Sequence, residues 1–159
     1  MSELLTALHG VLNAREPVPG LVTGGQPAAA HLVALKRAGC DTVIDTRDPM
    51  EPQPIDAPAV VRDAGLAYVN IPVPHTPADD RLIGEVRGTL ERLHSARRPT
   101  FVYCNSGNRV AAVLIPYFIL DLGWSEDEAV ARAMEMGLRS TELMEAALDY
   151  VTRHKGKAL

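Results

Sequence analysis

What this chain of 159 residues has little of narrows its classes before any motif is weighed. Its only cysteines are Cys40 and Cys104. Two are too few for a disulfide-stapled secreted scaffold or a cysteine-rich zinc site, and the expected setting is reducing and cytoplasmic. Basic residues are not in excess: 16 Lys and Arg against 20 Asp and Glu leave a formal net charge of -4, so nucleic acid is not an expected partner. No apolar run approaches the ~20 residues that cross a bilayer, and Met1-Ser2-Glu3 carries no basic leader, so no membrane association is expected. His9, His31, His94 and His154 stand at no metal-ligand spacing with the cysteines, so neither a metal nor another cofactor is expected. No internal repeat is visible.

What remains is a composition 47% hydrophobic, enough to bury one good core. The length favours a single domain over residues 1–159, with 1–20 as an N-terminal extension and 155–159 as a frayed tail. Pro17, Pro19 and Gly20 separate a short opening helix from an edge strand at Leu21-Val22-Thr23. A helix from Pro27 to Ala38 ends at Gly39, and Thr42-Val43-Ile44 reads as a buried strand. Prolines at 49, 52, 54 and 58 mark residues 48–58 as a surface loop leading into a short helix near 59–64, followed by a strand from Ala67 to Ile71. Leu82, Ile83, Val86, Leu90 and Leu93 recur at helical spacing over Ala78–His94. Thr100-Phe101-Val102-Tyr103 has the β-branched and aromatic content of a central strand. An apolar core helix, Val110–Leu122, is bent at Pro116. Ser125 with Glu128 forms a capping box, and a last helix covers Ser140–His154. Strands alternating with helices predict an α/β fold with a mainly parallel central sheet flanked by helices.

In open parallel sheets the ligand crevice lies beyond the carboxyl ends of the strands, which is where Cys104 to Arg109 falls. The small, polar Asn105-Ser106-Gly107-Asn108 between strand and helix directs backbone N–H groups and a positive helix end at one spot, an anion-binding loop. The same field is expected to lower the Cys104 pKa and make the thiolate a nucleophile, while Arg109 offers a planar bidentate fork to an oxyanion. Asp45 and Arg47 end a neighbouring strand and are candidates behind the crevice, with a surface Arg47–Asp48 pair as the alternative. Cys40 is expected in the core.

The run Phe101-Val102-Tyr103-Cys104-Asn105-Ser106-Gly107-Asn108-Arg109 resembles the signature loop of cysteine phosphatases and of rhodaneses. With Val22-Thr23-Gly24-Gly25-Gln26-Pro27, Val43-Ile44-Asp45-Thr46-Arg47 and Ala67-Tyr68-Val69-Asn70-Ile71-Pro72, the chain over roughly residues 21–135 resembles the phosphatase-like domain family named after beta-lactamase hydrolase-like proteins. That resemblance implies the dual-specificity phosphatase fold, with Cys104 as nucleophile and Arg109 as oxyanion clamp. It also implies that Gly24, Gly25 and Gln26 border the pocket. In the loop after the Tyr68–Ile71 strand, His75 stands where an aligned phosphatase has its acidic Asp, and Asp79 and Asp80 are the fallback acids, with charges at a helix N-terminus as their alternative.

The sequence departs from the phosphatase pattern at three points. Four residues separate Cys104 from Arg109 rather than five, Tyr103 replaces the preceding His, and Val110 replaces the hydroxyl residue that follows the arginine. Three functions therefore stay open: hydrolysis of a phosphate monoester through a Cys104 phosphoenzyme, rhodanese-like sulfur transfer through a Cys104 persulfide, and anion binding without turnover. The partner is a phosphorylated or sulfur-donating substrate, with hydrolysis ranked slightly ahead.

Overall fold

The structure, a computed structural model, describes residues 2–156. Along the chain run α1 (Glu3–Ala7), β1 (Arg15–Val18), β2 (Leu21–Gly24), α2 (Ala29–Arg37), β3 (Thr42–Asp45), α3 (Ala57–Asp63), β4 (Ala67–Asn70), α4 (Asp80–Ser95), β5 (Thr100–Tyr103), α5 (Asn108–Pro116), a π turn (Tyr117–Asp121), α6 (Glu126–Glu135) and α7 (Thr141–His154). The five strands form one sheet in the order β1-β2-β5-β3-β4, parallel throughout except for the β1–β2 hairpin. This is the mainly parallel, helix-flanked sheet expected from the sequence.

Side chains alternate across the sheet as the two-residue strand period requires. Leu21, Ile44, Val102 and Cys104 face a core formed with α4 to α7, whereas Val22, Val43, Phe101 and Tyr103 face a second core under α1 to α3. β2, β3 and β5 are buried along their whole length. β2 is therefore an inner strand, not the edge expected from the sequence. The segment read as an extension supplies α1 and the true edge, β1, because Arg15–Val18 is too short and too polar to announce itself as a strand. The expected tail beyond Gly156 lies outside the described residues.

α5 is apolar all round and lies against the sheet with α4, α6 and α7 packed over it. Pro116 lacks the N–H that would continue the helical ladder, and the chain widens there into the π turn, where the sequence reading placed a bend. Asp121 at the end of that turn receives Arg87 Nε at 2.8 Å and Nη2 at 3.1 Å, and Arg87 Nη1 donates to Tyr150 Oη at 2.9 Å. Arg87 is buried, so its charge depends on these partners. Asp121→Ala should destabilise the protein by about 3–5 kcal/mol in chemical denaturation, since it leaves a buried guanidinium without its counter-charge.

Candidate active site

β5 ends between the carboxyl ends of β2 and β3, with Tyr103 aligned to Gly24 on one side and Asp45 on the other. The chain leaving β5 is thus walled on both flanks. Cys104 is 1% exposed and its Sγ accepts the Gly107 N–H at 3.1 Å.

The conformation of the loop follows from where its carbonyls go. Asn105 O accepts from Gln26 N (3.2 Å), Ser106 O from Asn13 Nδ2 (2.7 Å), and Gly107 O from Ala111 N (2.9 Å). With the carbonyls tied outward, the N–H groups of Asn105, Ser106, Asn108 and Arg109 have no acceptor among the described residues. They belong to the loop that joins the thiol to the positive end of α5, a setting that suits an oxyanion. Two glycines make it possible. Gly107 has φ +99, and a Cβ there would stand 2.7 Å from Met136 O, while a Cβ on Gly25 would stand 2.7 Å from Asn105 O. Asn108 turns its side chain away, its Oδ1 accepting from Arg139 N and Ser140 N at 2.8 and 3.3 Å.

Arg109 is 2% exposed. Its Nη1 donates to Glu51 Oε2 at 2.7 Å and to Val73 O at 3.2 Å, and its Nη2 donates to Glu51 Oε1 at 2.9 Å. A guanidinium has five N–H donors. The two left over, Nε–H and one on Nη2, lie on the same edge and form a second bidentate fork. Glu51 therefore anchors Arg109 by one edge and leaves the other for a ligand. The guanidinium beside it lowers the Glu51 pKa to about 2. The sequence reading missed Glu51; its position four residues after Arg47, in a proline-marked loop, was the one available sign.

Arg47 is buried and makes no pair with Asp48, so the surface-pair alternative is corrected. Its guanidinium donates to Gln26 Oε1 (2.7 Å), Gln53 Oε1 (3.1 Å) and the Pro52 carbonyl, and its Nε lies 3.9 Å from Glu51 Oε1. It thereby folds the Glu51 loop over the site. Asp45 is buried too, accepting from Arg47 N at 2.9 Å and Tyr68 Oη at 2.7 Å. Both act from behind the loop.

A cleft of about 570 Å³ opens beside Arg109, lined by Asp48, Met50, Pro52, Pro74 and His75 among others. The His75 side chain is 69% exposed, with Nε2 3.9 Å from Glu51 Oε1. Asp79 instead caps α4, its Oδ1 accepting from Leu82 N at 2.8 Å. Asp80 pairs with Arg153 and, at 3.5 Å, with His154. Neither aspartate lines the cleft, whereas Asp48 does. Cys40 packs in the core on the other face of the sheet from Cys104 and beyond its other end, where burial pushes the thiol up to about 11. Among the described residues no group of three His, Cys, Asp or Glu side chains is placed to hold a metal ion.

No protein-family model and no curated protein matches the sequence. Solved structures do match. A DUF442 protein of Shewanella putrefaciens CN-32 superposes with a TM-score of 0.77 at 19% identity, covering 94% of this chain and 97% of its own. The kinase associated phosphatase KAP, with its catalytic cysteine replaced by serine, gives 0.72 at 12% identity over 87% and 89%. TpbA of P. aeruginosa in complex with pTyr gives 0.65 at 22% identity over 92% and 85%. The chain has the fold of the tyrosine and dual-specificity phosphatases.

Two outcomes test the geometry. Asn13→Ala frees the Ser106 carbonyl to turn inward, and phosphate affinity measured by calorimetry should fall about tenfold, a loss of ~1.4 kcal/mol. Glu51, with its folded pKa below the ordinary carboxylate value, contributes stability that is complete above about pH 4.5 and is lost as pH falls towards 2. The stability gap between wild type and Glu51→Gln should therefore be constant near neutrality and close on acidification.

Proposed function

We propose that this chain is a cysteine-dependent phosphatase that hydrolyses a phosphate monoester through a Cys104 phosphoenzyme. The observation that carries the reading is a loop that starts at the Cys104 sulfur, puts the Gly107 N–H on it, leaves four further N–H groups unpaired and ends on Arg109, whose second fork is free. Such donors match three equatorial phosphoryl oxygens, whose charge is what a phosphoryl-transfer catalyst must stabilise. The Cys104 thiolate attacks phosphorus in line, the P–O ester bond breaks, and the leaving oxygen takes its proton from the His75 imidazolium at the cleft mouth. The imidazole then accepts a proton from the water that cleaves the S–P bond, returning thiolate and inorganic phosphate.

The apolar lip of the cleft, Met50, Pro52, Pro72 and Pro74, suits an ester whose leaving group presents an apolar face. The pTyr-bound relative is consistent with an aryl group there. The resemblance of the Cys104 loop and of Val43-Ile44-Asp45-Thr46-Arg47 to the beta-lactamase hydrolase-like phosphatase-like domains supports a cysteine-based enzyme and is shared by the phosphatase and sulfurtransferase readings. Sulfur transfer is the second reading, favoured by the four residues between Cys104 and Arg109 that give a ring with one N–H fewer.

Parallel assays of an aryl phosphate and of thiosulfate with cyanide decide between them. Hydrolysis of the aryl phosphate should be the faster reaction and should vanish in Cys104→Ser, and Arg109→Lys should also be severely impaired, because an ammonium cannot reproduce a planar fork. Preference for thiosulfate in a Cys104-dependent reaction would replace the phosphatase reading with the sulfurtransferase one, and no Cys104-dependent turnover of either would leave a binding module. His75→Ala should slow hydrolysis of alkyl esters by roughly 10²-fold and of activated aryl esters far less. An equal effect on both would remove His75 as the acid and point to Asp48.

A further inference from the structure

At the end of the sheet opposite Cys104, the β1–β2 turn, the last turns of α4 and the first residue of the π turn border a second, half-open cavity of about 230 Å³. Val18, Leu21, Leu90 and Leu93 give it apolar walls, and the charged side chains that line it, Arg97 and Arg98, are both cationic, with His94 beside them. An engineered apolar cavity of about 150 Å³ holds one benzene, so by proportion this space suits roughly nine or ten heavy atoms.

The charge and backbone of the rim point to a ligand rather than to an incidental gap. Tyr117 lines the cavity, and burial, with Glu91 and Asp121 nearby, pushes its pKa up to about 12, so its hydroxyl is a protonated donor there. Arg97 has φ +55, the left-handed position after a helix end that favours glycine or asparagine. Arg92 already supplies a cation to the last turn of α4, so helix termination does not call for this one. Arg98 has Asp41 at 3.9 Å, whereas Arg97 has no ion-pair partner among the described residues.

We propose that this cavity binds a small amphipathic anion, an aliphatic carboxylate of about eight carbons in all. Its chain lies against Leu21, Leu90 and Leu93, and its carboxylate sits at the basic rim beside Arg97. The site is separate from the Cys104 cradle and does not depend on the reaction assigned there.

Octanoate is the probe, with octan-1-ol as its uncharged counterpart. Calorimetry should show one saturable octanoate site per chain and octanol at least about tenfold weaker, as loss of a charge-assisted contact requires. Arg97→Gly, which also suits the left-handed backbone, should cut octanoate affinity at least about fivefold and leave octanol unchanged. Leu93→Trp should fill the space and abolish both, with thermal unfolding confirming that each variant is folded. Amide shifts on titration should centre on residues 18–21, 90–100 and 117. Absence of saturable binding, equal affinity for octanol, an unaffected Arg97→Gly variant, or shifts centred on 104–109 would each overturn the proposal.

Discussion

A guanidinium taken almost wholly out of water must have a counter-charge, and at Arg109 that requirement organises the whole face of the molecule around the thiol. Desolvation opposes the buried cation, and only a close, hydrogen-bonded carboxylate repays it. Glu51 can reach Arg109 because Arg47, buried in turn, ties the loop to Gln26, Gln53 and the Pro52 carbonyl. Asp45 fixes the start of that loop through the Arg47 amide. A chain of polar contacts thus runs from the end of β3 to one edge of a side chain on α5, and it sets how Arg109 faces the cradle.

The backbone half of the site rests on a different constraint. A loop whose amides all point inward has carbonyls that must find donors elsewhere, and Gln26, Asn13 and Ala111 supply them from three separate segments. Close approach on both sides is possible only where Cβ atoms are missing, at Gly25 and Gly107. The cradle is therefore a property of the assembled fold more than of the six residues from Cys104 to Arg109.

That division explains what the sequence made legible. Hydrophobic alternation and helical spacing placed β3, β5, α4 and α7 within a residue or two, because their burial is strong and their periods are regular. Cys104 and Arg109 stood out because strand, small polar loop and apolar helix follow one another without a gap. Glu51 and Asn13 did not, since each depends on contacts with residues distant in the chain, and Asp79 stayed open between an acid and a helix N-terminal charge because the choice turns on which way one carboxylate points. β1 escaped notice because a four-residue edge strand with charges at its start has no hydrophobic pattern of its own. The π turn after Pro116 was read only as a bend, as proline signals an interrupted ladder without specifying how the chain resumes.

The Asn13–Ser106 hydrogen bond joins residues 93 positions apart, and it has a consequence for the order of folding. Contacts that close such long loops form after local ones, because their entropic cost falls on the chain before any compensating packing is gained. The helix behind Arg109 can form from nearby sequence, but β5 must find β2 and β3, and the Ser106 carbonyl must find Asn13, before the loop between them takes its shape. In a partly folded molecule the cysteine would then lack the ordered loop that follows it, and that loop would take its final shape as one of the last events of folding.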